Sequence, residues 1–430
     1  MDEGGRSFLD ALFRAAVAAA HPAACLRGFL PAPPAGRLIL LGAGKAAGSM
    51  TEVAEQHYLD SGLPRERLLG LAVTRPGYSR PTQHIRVVEG GHPLPNQEGI
   101  EATDQTLKLA DEAGADDLVL ALLSGGASAN WIAPAPNVTL ADKQAVTRAL
   151  LRSGATIGET NTVRKHLSCI KGGRLAARAQ PARVVTLAIS DVPRDDPAVI
   201  GSGPTVPDPS TLAAARSIVQ RYGLQLPETI MRALSEPANE TPKPGNPVFA
   251  NTEFSLIARP ADALNAAKEV ARKAGYDCVF LGDQVEGEAR AVAQEHGRIA
   301  RELHAQGRRA VVLSGGELTV TMHKAAGGKG GPNQEYALAL AMVLEGIGGT
   351  AALAADTDGT DGGGGAATDP AGAFVDGTSA ARGRALGLDP ASFLANNDSG
   401  AFFAALGDLL VSGPTFTNVN DFRAILVDSG

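Results

Sequence analysis

Short, unbroken apolar runs alternate with helix-length segments along almost the whole chain. In the first half the runs fall at residues 38–41, 69–74, 118–123 and 184–189, each followed by glycine, proline or small polar residues. Runs of this kind suit strands buried on both faces, and their alternation with helices predicts an α/β fold. The stretch LSEPANETPKPGNPV, 234–248, holds four prolines and no apolar periodicity, so it reads as a linker. Beyond it the pattern predicts strands at 254–257, 278–281, 310–313 and 351–354, with helices near 261–274, 288–305 and 334–344. The expectation is two α/β domains, 1–235 and 250–430, joined by a linker at 236–249, with a ligand in the cleft between them.

Composition narrows the classes. Of 430 residues 44% are apolar and 20% charged, enough to fill ordinary cores and too few charges for a long disordered chain. A net charge of −7 without a basic block argues against duplex nucleic acid as a partner. Three cysteines, Cys25, Cys169 and Cys278, form no CxxC pair, which disfavours a disulfide framework or zinc knuckle. The eight histidines form no HExxH or compact cluster, so any metal should be held by oxygen. The alanine-rich stretch at 11–20 is broken by Arg14 and preceded by Asp2 and Glu3, and no apolar run nears the ~18 residues of a spanning helix. A soluble, cytoplasmic protein without a membrane partner is expected.

Small-residue turns carry the candidate chemistry. LILLGAGKAAGSM, 38–50, runs from a strand through Gly42, Gly44 and Lys45 into a helix, a geometry that can cradle phosphate. Its GxGxxxG spacing also raises a dinucleotide site. The second strand, however, ends at Thr74-Arg75 and not at an acidic ribose ligand, which weakens NAD and leaves room for NADP. A tight turn with a solvated lysine is the structural alternative. SGGASA, 124–129, sets Ser124, Gly125, Gly126 and Ser128 after a buried strand, where amides and hydroxyls can hold a carboxylate or phosphate. VLSGGELT, 312–319, repeats Ser-Gly-Gly after a second strand, so both sheets are expected to present similar loops at their carboxyl ends.

Charged side chains complete the set. Read as one helix, 156–176 buries Val163, Leu167 and Ile170 and brings Arg164 and Lys171, seven apart, within about 20° of each other. Two cations on one rim suit an anionic substrate, against the alternative of a solvated helix face. Asp191 follows the strand at 184–189 and can take a proton or bind Mg2+. Asp356, Asp358 and Asp361, with four glycines behind them, suit Mg2+ held together with a polyphosphate. GGKGGPNQEY, 327–336, adds Lys329 on a glycine loop and Asn333, Gln334 and Glu335 in a helical first turn, and NNDSG, 396–400, is either a cap or a ligand loop.

Taken in order, GAGKAAGSM, GGHPLPN, LLSGGASA, NTVRKHLSCIKGGRLA, ISDVPRDDPAVIGSGPT, LSGGELT, GGPNQE, DTDGTDG and FLANNDSG resemble the class II glycerate 2-kinase family, whose C-terminal half is the MOFRL domain. The likeness runs from about residue 8 to 427. It implies a Rossmann-like, mostly parallel first sheet and a MOFRL-type second domain around an interdomain active site that uses ATP and Mg2+ to phosphorylate D-glycerate at its 2-hydroxyl. It also implies Lys45, Asp191 and Lys171 as catalytic groups and Ser124, Gly125, Gly126, Ser128 and Arg164 as substrate contacts. Nucleotide contacts would be Gly42, Gly44, Gly315, Gly316, Glu317, Lys329, Asn333 and Asn397, and metal ligands Asp356, Asp358 and Asp361. A homodimer is one assembly it allows. Relatives usually read GGRNQE where this chain has Pro332, so a phosphate contact is displaced, with Lys329 the nearest substitute. Some members are named hydroxypyruvate reductases, which keeps an NAD(P)H-dependent reductase as the alternative.

Overall fold

A computed structural model of the protein describes residues 3–322, 327–363 and 366–428. Two six-stranded sheets organise it. The first is built from β1 (Leu38–Ala43), β2 (Leu68–Thr74), β3 (Arg86–Glu89), β4 (Leu118–Leu123), β5 (Arg183–Ile189) and β6 (Thr252–Ala258), in the order β3-β2-β1-β4-β5-β6. The pairs β1–β2, β1–β4, β2–β3 and β4–β5 are all parallel. β1 and β4 are buried at every position, which is why their sequence is continuously apolar and does not alternate. Strand order reverses between β1 and β4, so the loops leaving their carboxyl ends diverge there, the point at which open α/β sheets bind ligands.

The second sheet contains β7 (Asp277–Glu288), β8 (Arg309–Thr319), β9 (Thr350–Asp356), β10 (Gly372–Asp376), β11 (Leu409–Leu410) and β12 (Asp421–Asp428), ordered β11-β10-β9-β12-β8-β7. It is mixed: β7 runs parallel to β8, whereas β12 is antiparallel to both β8 and β9. The helix Pro332–Val343 packs into its core and buries Tyr336, Leu338 and Leu340, having almost no polar side.

The chain divides differently from the expected two consecutive domains. One compact unit spans Leu26–Ile257; the other joins the segment ending at Cys25 to the segment beginning at Ala258. The supposed linker belongs inside the first unit. Asn239 and Thr241 are buried, Thr241 Oγ1 donates to Asp208 Oδ2 at 3.0 Å, and Glu240 pairs with His166 at 3.0 Å. Its prolines shape a tied-down return to the edge strand β6, which pairs in the first sheet and not the second. The N-terminal helix Glu3–Ala20 supplies the second unit with an apolar face through Leu9, Leu12, Phe13 and Ala16.

Candidate active site

In the first unit the loops after β1 and β4 lock together. Lys45 N donates to Gly125 O at 2.8 Å and Ala46 N to Ser124 Oγ at 2.9 Å, while Ala47 N is taken by Gly44 O. A Cβ added at Gly44, which has φ +119°, would fall 2.4 Å from Ser124 Oγ, and one at Gly42 would lie 2.9 Å from Ala72 Cβ. Both glycines are thus explained by close packing. Ala47 N, the first amide of the following helix, is thus also spent within the protein, so this turn offers fewer free amides than the phosphate cradle read from its spacing. Ser124 is fully buried and serves the same junction.

Gly126 turns the β4 loop into a short helix, Ala127–Asn130, with φ +86°, a left-handed conformation that glycine adopts without strain. The position of its missing Cβ lies 3.0 Å from His92 Nε2 and 3.3 Å from Lys45 Cγ. A bare backbone here lets a lysine and a histidine from two other loops meet over one residue.

The second convergence is at Ser128. Its hydroxyl receives N–H groups from Lys171 Nζ (3.0 Å) and Arg164 Nη2 (3.1 Å) and lies 2.8 Å from Ser202 Oγ. Lys171 Nζ also donates to Ser128 O at 2.7 Å. A hydroxyl has one donor and two acceptor positions, so Ser128 is saturated and pins both cations. Arg164 and Lys171 meet as expected, but not on one helix. The helix Ile157–His166 stops, and Gly172 (φ +61°) and Gly173 (φ +82°) turn the chain into a second helix, Arg174–Arg178. At these glycines a Cβ would strike Thr241 Cγ2 at 2.8 Å and Phe249 Cζ at 2.6 Å. Lys171 therefore reaches Ser128 from a loop.

A third basic side chain stands by. Lys143 is buried, and its Nζ donates to Leu167 O at 3.0 Å. Among the described residues none of Lys143, Arg164 and Lys171 meets a carboxylate. Burial, then Arg164 and Lys143, depress the Lys171 pKa well below the lysine range; burial, then Arg164, brings Lys143 down to about 7; burial lowers Arg164. Three basic side chains without a carboxylate counter-charge can receive an anion. Asp191 lies just past the end of β5, partly buried, beyond the fully buried Ser190.

The sequence reading missed Lys143, His92 and Ser202. Lys143 shares a helical stripe with the buried Val146 and Leu150, and a lysine on an apolar stripe was its signal. Ser202 holds φ +64°, rare for a residue with a side chain, and only its place in GSGPT hinted at it.

The second unit assembles its loops around the start of the helix Pro332–Val343. Asp361, buried, accepts from Asn333 N (3.0 Å) and Nδ2 (3.2 Å) and from Gln334 N (2.8 Å) and Nε2 (3.0 Å). Burial pushes its carboxyl up to about 7 against these donors, and Asp421 adds to the rise. Asn333 Nδ2 goes on to Asp421 Oδ1 at 2.6 Å, and Asp421 Oδ2 accepts from the buried Arg423 at 2.8 Å. Asp361 is therefore a helix cap, and Asn333 a strut.

The three-aspartate set expected to hold metal does not assemble as such: among the described residues no three His, Cys, Asp or Glu side chains group to hold an ion. Asp358 Oδ1 accepts from Thr360 N and Oγ1 at 2.8 and 3.1 Å, and Asp356 Oδ1 from Asp358 N at 2.9 Å. Gly364 and Gly365 of the glycine run lie outside the described residues.

Gly315, Gly316 and Glu317 do not form a loop matching SGGASA. They lie within β8, where Gly316 pairs with Val285 beside a bulge and a Cβ would fall 2.2 Å from Val285 O. Lys329 is exposed, and its backbone N–H donates to Asp398 Oδ1 at 2.8 Å. The buried Asn397 donates to Thr321 O and to Glu335 Oε1 at 3.3 and 3.4 Å.

Residues 8–235 match the family described as a domain of unknown function, DUF4147, and residues 310–421 match the MOFRL family. A protein of Agrobacterium vitis, named a candidate hydroxypyruvate reductase, is 47% identical over 99% of this chain and 95% of its own length. The D-glycerate 2-kinase of Thermotoga maritima is 39% identical over 95% of each, and the glycerate kinase of Homo sapiens 36% identical over 97% and 92%. A crystal structure of glycerate kinase from Thermotoga maritima covers 99% of this chain and 100% of its own at 38% identity, with a TM-score of 0.86.

Proposed function

This chain belongs to the class II glycerate 2-kinase family, and from that premise we propose that it transfers the γ-phosphoryl group of ATP to the 2-hydroxyl of D-glycerate, with Mg2+. The observation that carries the reading is the pair of basic side chains held at Ser128, Lys171 buried and Arg164 partly buried, which meet no carboxylate among the described residues. A short hydroxy acid supplies one. Arg164, held at one nitrogen by Ser128, keeps four further N–H groups for the acid's carboxylate. Lys45 and His92, meeting at Gly126, face the phosphoryl group, where positive charge is most effective as it moves between oxygens. The hydroxyl oxygen bonds to phosphorus as the bond to the departing ADP breaks, and Asp191 receives the hydroxyl proton.

Lys329, on its exposed glycine loop, is our nucleotide contact in the second unit. Asp356 and Asp358, each with one carboxylate oxygen bonded to a loop amide, would hold magnesium that takes one or two carboxylates and completes its shell from phosphate and water. When bound, that ion offsets phosphate charge. No helix among the described residues is long and apolar enough to cross a membrane, and we assign the reaction to the cytoplasm.

The reductase reading is favoured by the name of the Agrobacterium vitis relative and by the β3-β2-β1-β4-β5-β6 strand order. Against it, the amides that would receive a pyrophosphate are already bonded to Gly125 and Ser124. Purified protein with D-glycerate, ATP and Mg2+ should release ADP and form 2-phosphoglycerate. Hydroxypyruvate with NADPH should show no absorbance loss at 340 nm, and the reverse pair of results would install the reductase.

A further inference from the structure

Lys143 has no part in the proposed chemistry, yet its setting is unusual. It lies buried on the helix Leu140–Ser153, on the same stripe as the buried Val146 and Leu150, and the only hydrogen-bond partner of its Nζ among the described residues is Leu167 O. That oxygen already receives Ala135 N at 3.0 Å. An ammonium has three N–H groups to satisfy and a neutral amine two, with a lone pair that needs no donor. The ionisable groups that act on it are Arg164 from the helix Ile157–His166 and Cys169 beyond its end, and it acts in turn on Lys171 from the following turn. On its own helix the neighbouring Asp142 is turned away into the capping box with Thr139. Everything ionic around Lys143 is therefore positive or neutral.

We propose that Lys143 is a third, conditional charge of the acid site: a neutral amine while the site is empty, it takes up a proton when the carboxylate of a small hydroxy acid enters beside Arg164 and Lys171. The inference rests on the proposed function for its ligand. Burial, then Arg164, hold the free group at about 7, and an arriving anion raises it. Binding then consumes a proton above neutral pH, and affinity for the acid falls by up to about tenfold per pH unit until the bound-state value is passed. An acid would thus be held most firmly at the acidic side of neutrality, and the empty enzyme would carry one buried charge fewer.

Two measurements test it on the full chain. Carbon-13 NMR of lysine-labelled protein, with the Lys143 signal assigned by its absence in Lys143→Arg, should show a group titrating near neutrality without ligand. Titration only above pH 9 would overturn the proposal whatever the enzyme's substrate proves to be. Calorimetric titration of D-glycerate at pH 8, in buffers of different ionisation enthalpy, should then show net proton uptake. Lys143→Arg should take up about one proton fewer than the wild type, with an affinity less dependent on pH from 6.5 to 8.5, and Lys143→Met should bind at least tenfold more weakly, with the same loss of uptake. Binding by the wild type with no proton taken up, or uptake undiminished in Lys143→Arg, refutes the coupling while leaving the kinase reading intact. Failure of D-glycerate to bind any of the three refutes the kinase reading, and the NMR titration still decides the state of Lys143.

Discussion

Gly126 shows how one missing carbon can organise a site. Alanine there would carry the left-handed penalty of roughly 1–2 kcal/mol and place a methyl 3.0 Å from His92 Nε2. Gly154 provides the matched control, since it too has a left-handed φ, +77°, but nothing stands within 4 Å of its would-be Cβ. Gly126→Ala and Gly154→Ala should therefore lose similar stability in urea unfolding, while only Gly126→Ala loses kcat/KM, by about tenfold or more. Equal activity losses would remove His92 and Lys45 from the chemistry. Lys45→Ala addresses the same point directly. If its ammonium acts mainly on charge that develops during transfer, kcat should fall by about a hundredfold while KM for D-glycerate moves only a few-fold. A variant with unchanged kcat and raised KM would make Lys45 a ground-state contact.

The turn between Ile157–His166 and Arg174–Arg178 is where local structure and charge placement depend on each other. Gly172 has φ +61°, and its Cβ would press on Thr241 Cγ2 at 2.8 Å, so Gly172→Ala should cost about 1–3 kcal/mol by strain in that backbone region. It should also raise KM for D-glycerate, because it displaces Lys171 from Ser128 while Arg164 stays. Chemical denaturation and steady-state kinetics on one preparation separate the two effects. The same segment marks the limit of reading by periodicity. Val163, Leu167 and Ile170 are buried as their spacing predicts, and Arg164 and Lys171 do converge, yet the continuous helix invoked for it does not exist. The paired glycines were the visible warning. Strands β1, β2, β4 and β5 were legible because burial on both faces demands unbroken apolar sequence. β12 was not, because Arg423 interrupts DFRAILVD, and only the buried partners Asp421, Ser314 and Gly315 O make an arginine tolerable there. β7 extends well past 278–281 because its second half, GDQVEGE, pairs through bulges at polar positions that no apolar pattern marks.

The discontinuous second unit makes the largest departure from the linear reading, and the reason is physical. A proline-rich stretch looks like a boundary because it breaks periodicity, but the hydrogen bonds of Asn239, Glu240 and Thr241 bind it to the first unit. An alanine-rich amphipathic helix at the start of a chain looks like part of whatever follows it. Here its apolar face belongs to residues more than two hundred positions later: Phe13 lies 5.8 Å, centroid to centroid, from Phe422, Phe8 stacks on Tyr276 at 5.0 Å, and Thr417 Oγ1 donates to Ala20 O at 2.7 Å. Leu9, Leu12, Phe13 and Ala16 are all at most 2% exposed. Burying the first three side chains contributes roughly 1.5–3 kcal/mol each, which together is comparable to the ~5–15 kcal/mol stability of a whole domain. A fragment of residues 258–430 should therefore be unfolded or molten, with no cooperative thermal transition and strong binding of a hydrophobic dye. The same fragment with residues 1–25 fused ahead of it through a flexible linker should regain a cooperative melt. Residues 26–257 alone should fold without help, since helices of the same segment, Ala47–Asp60 and Gln97–Asp111, pack on that sheet. A cooperative melt of 258–430 by itself would show that the N-terminal helix decorates this unit and does not complete it.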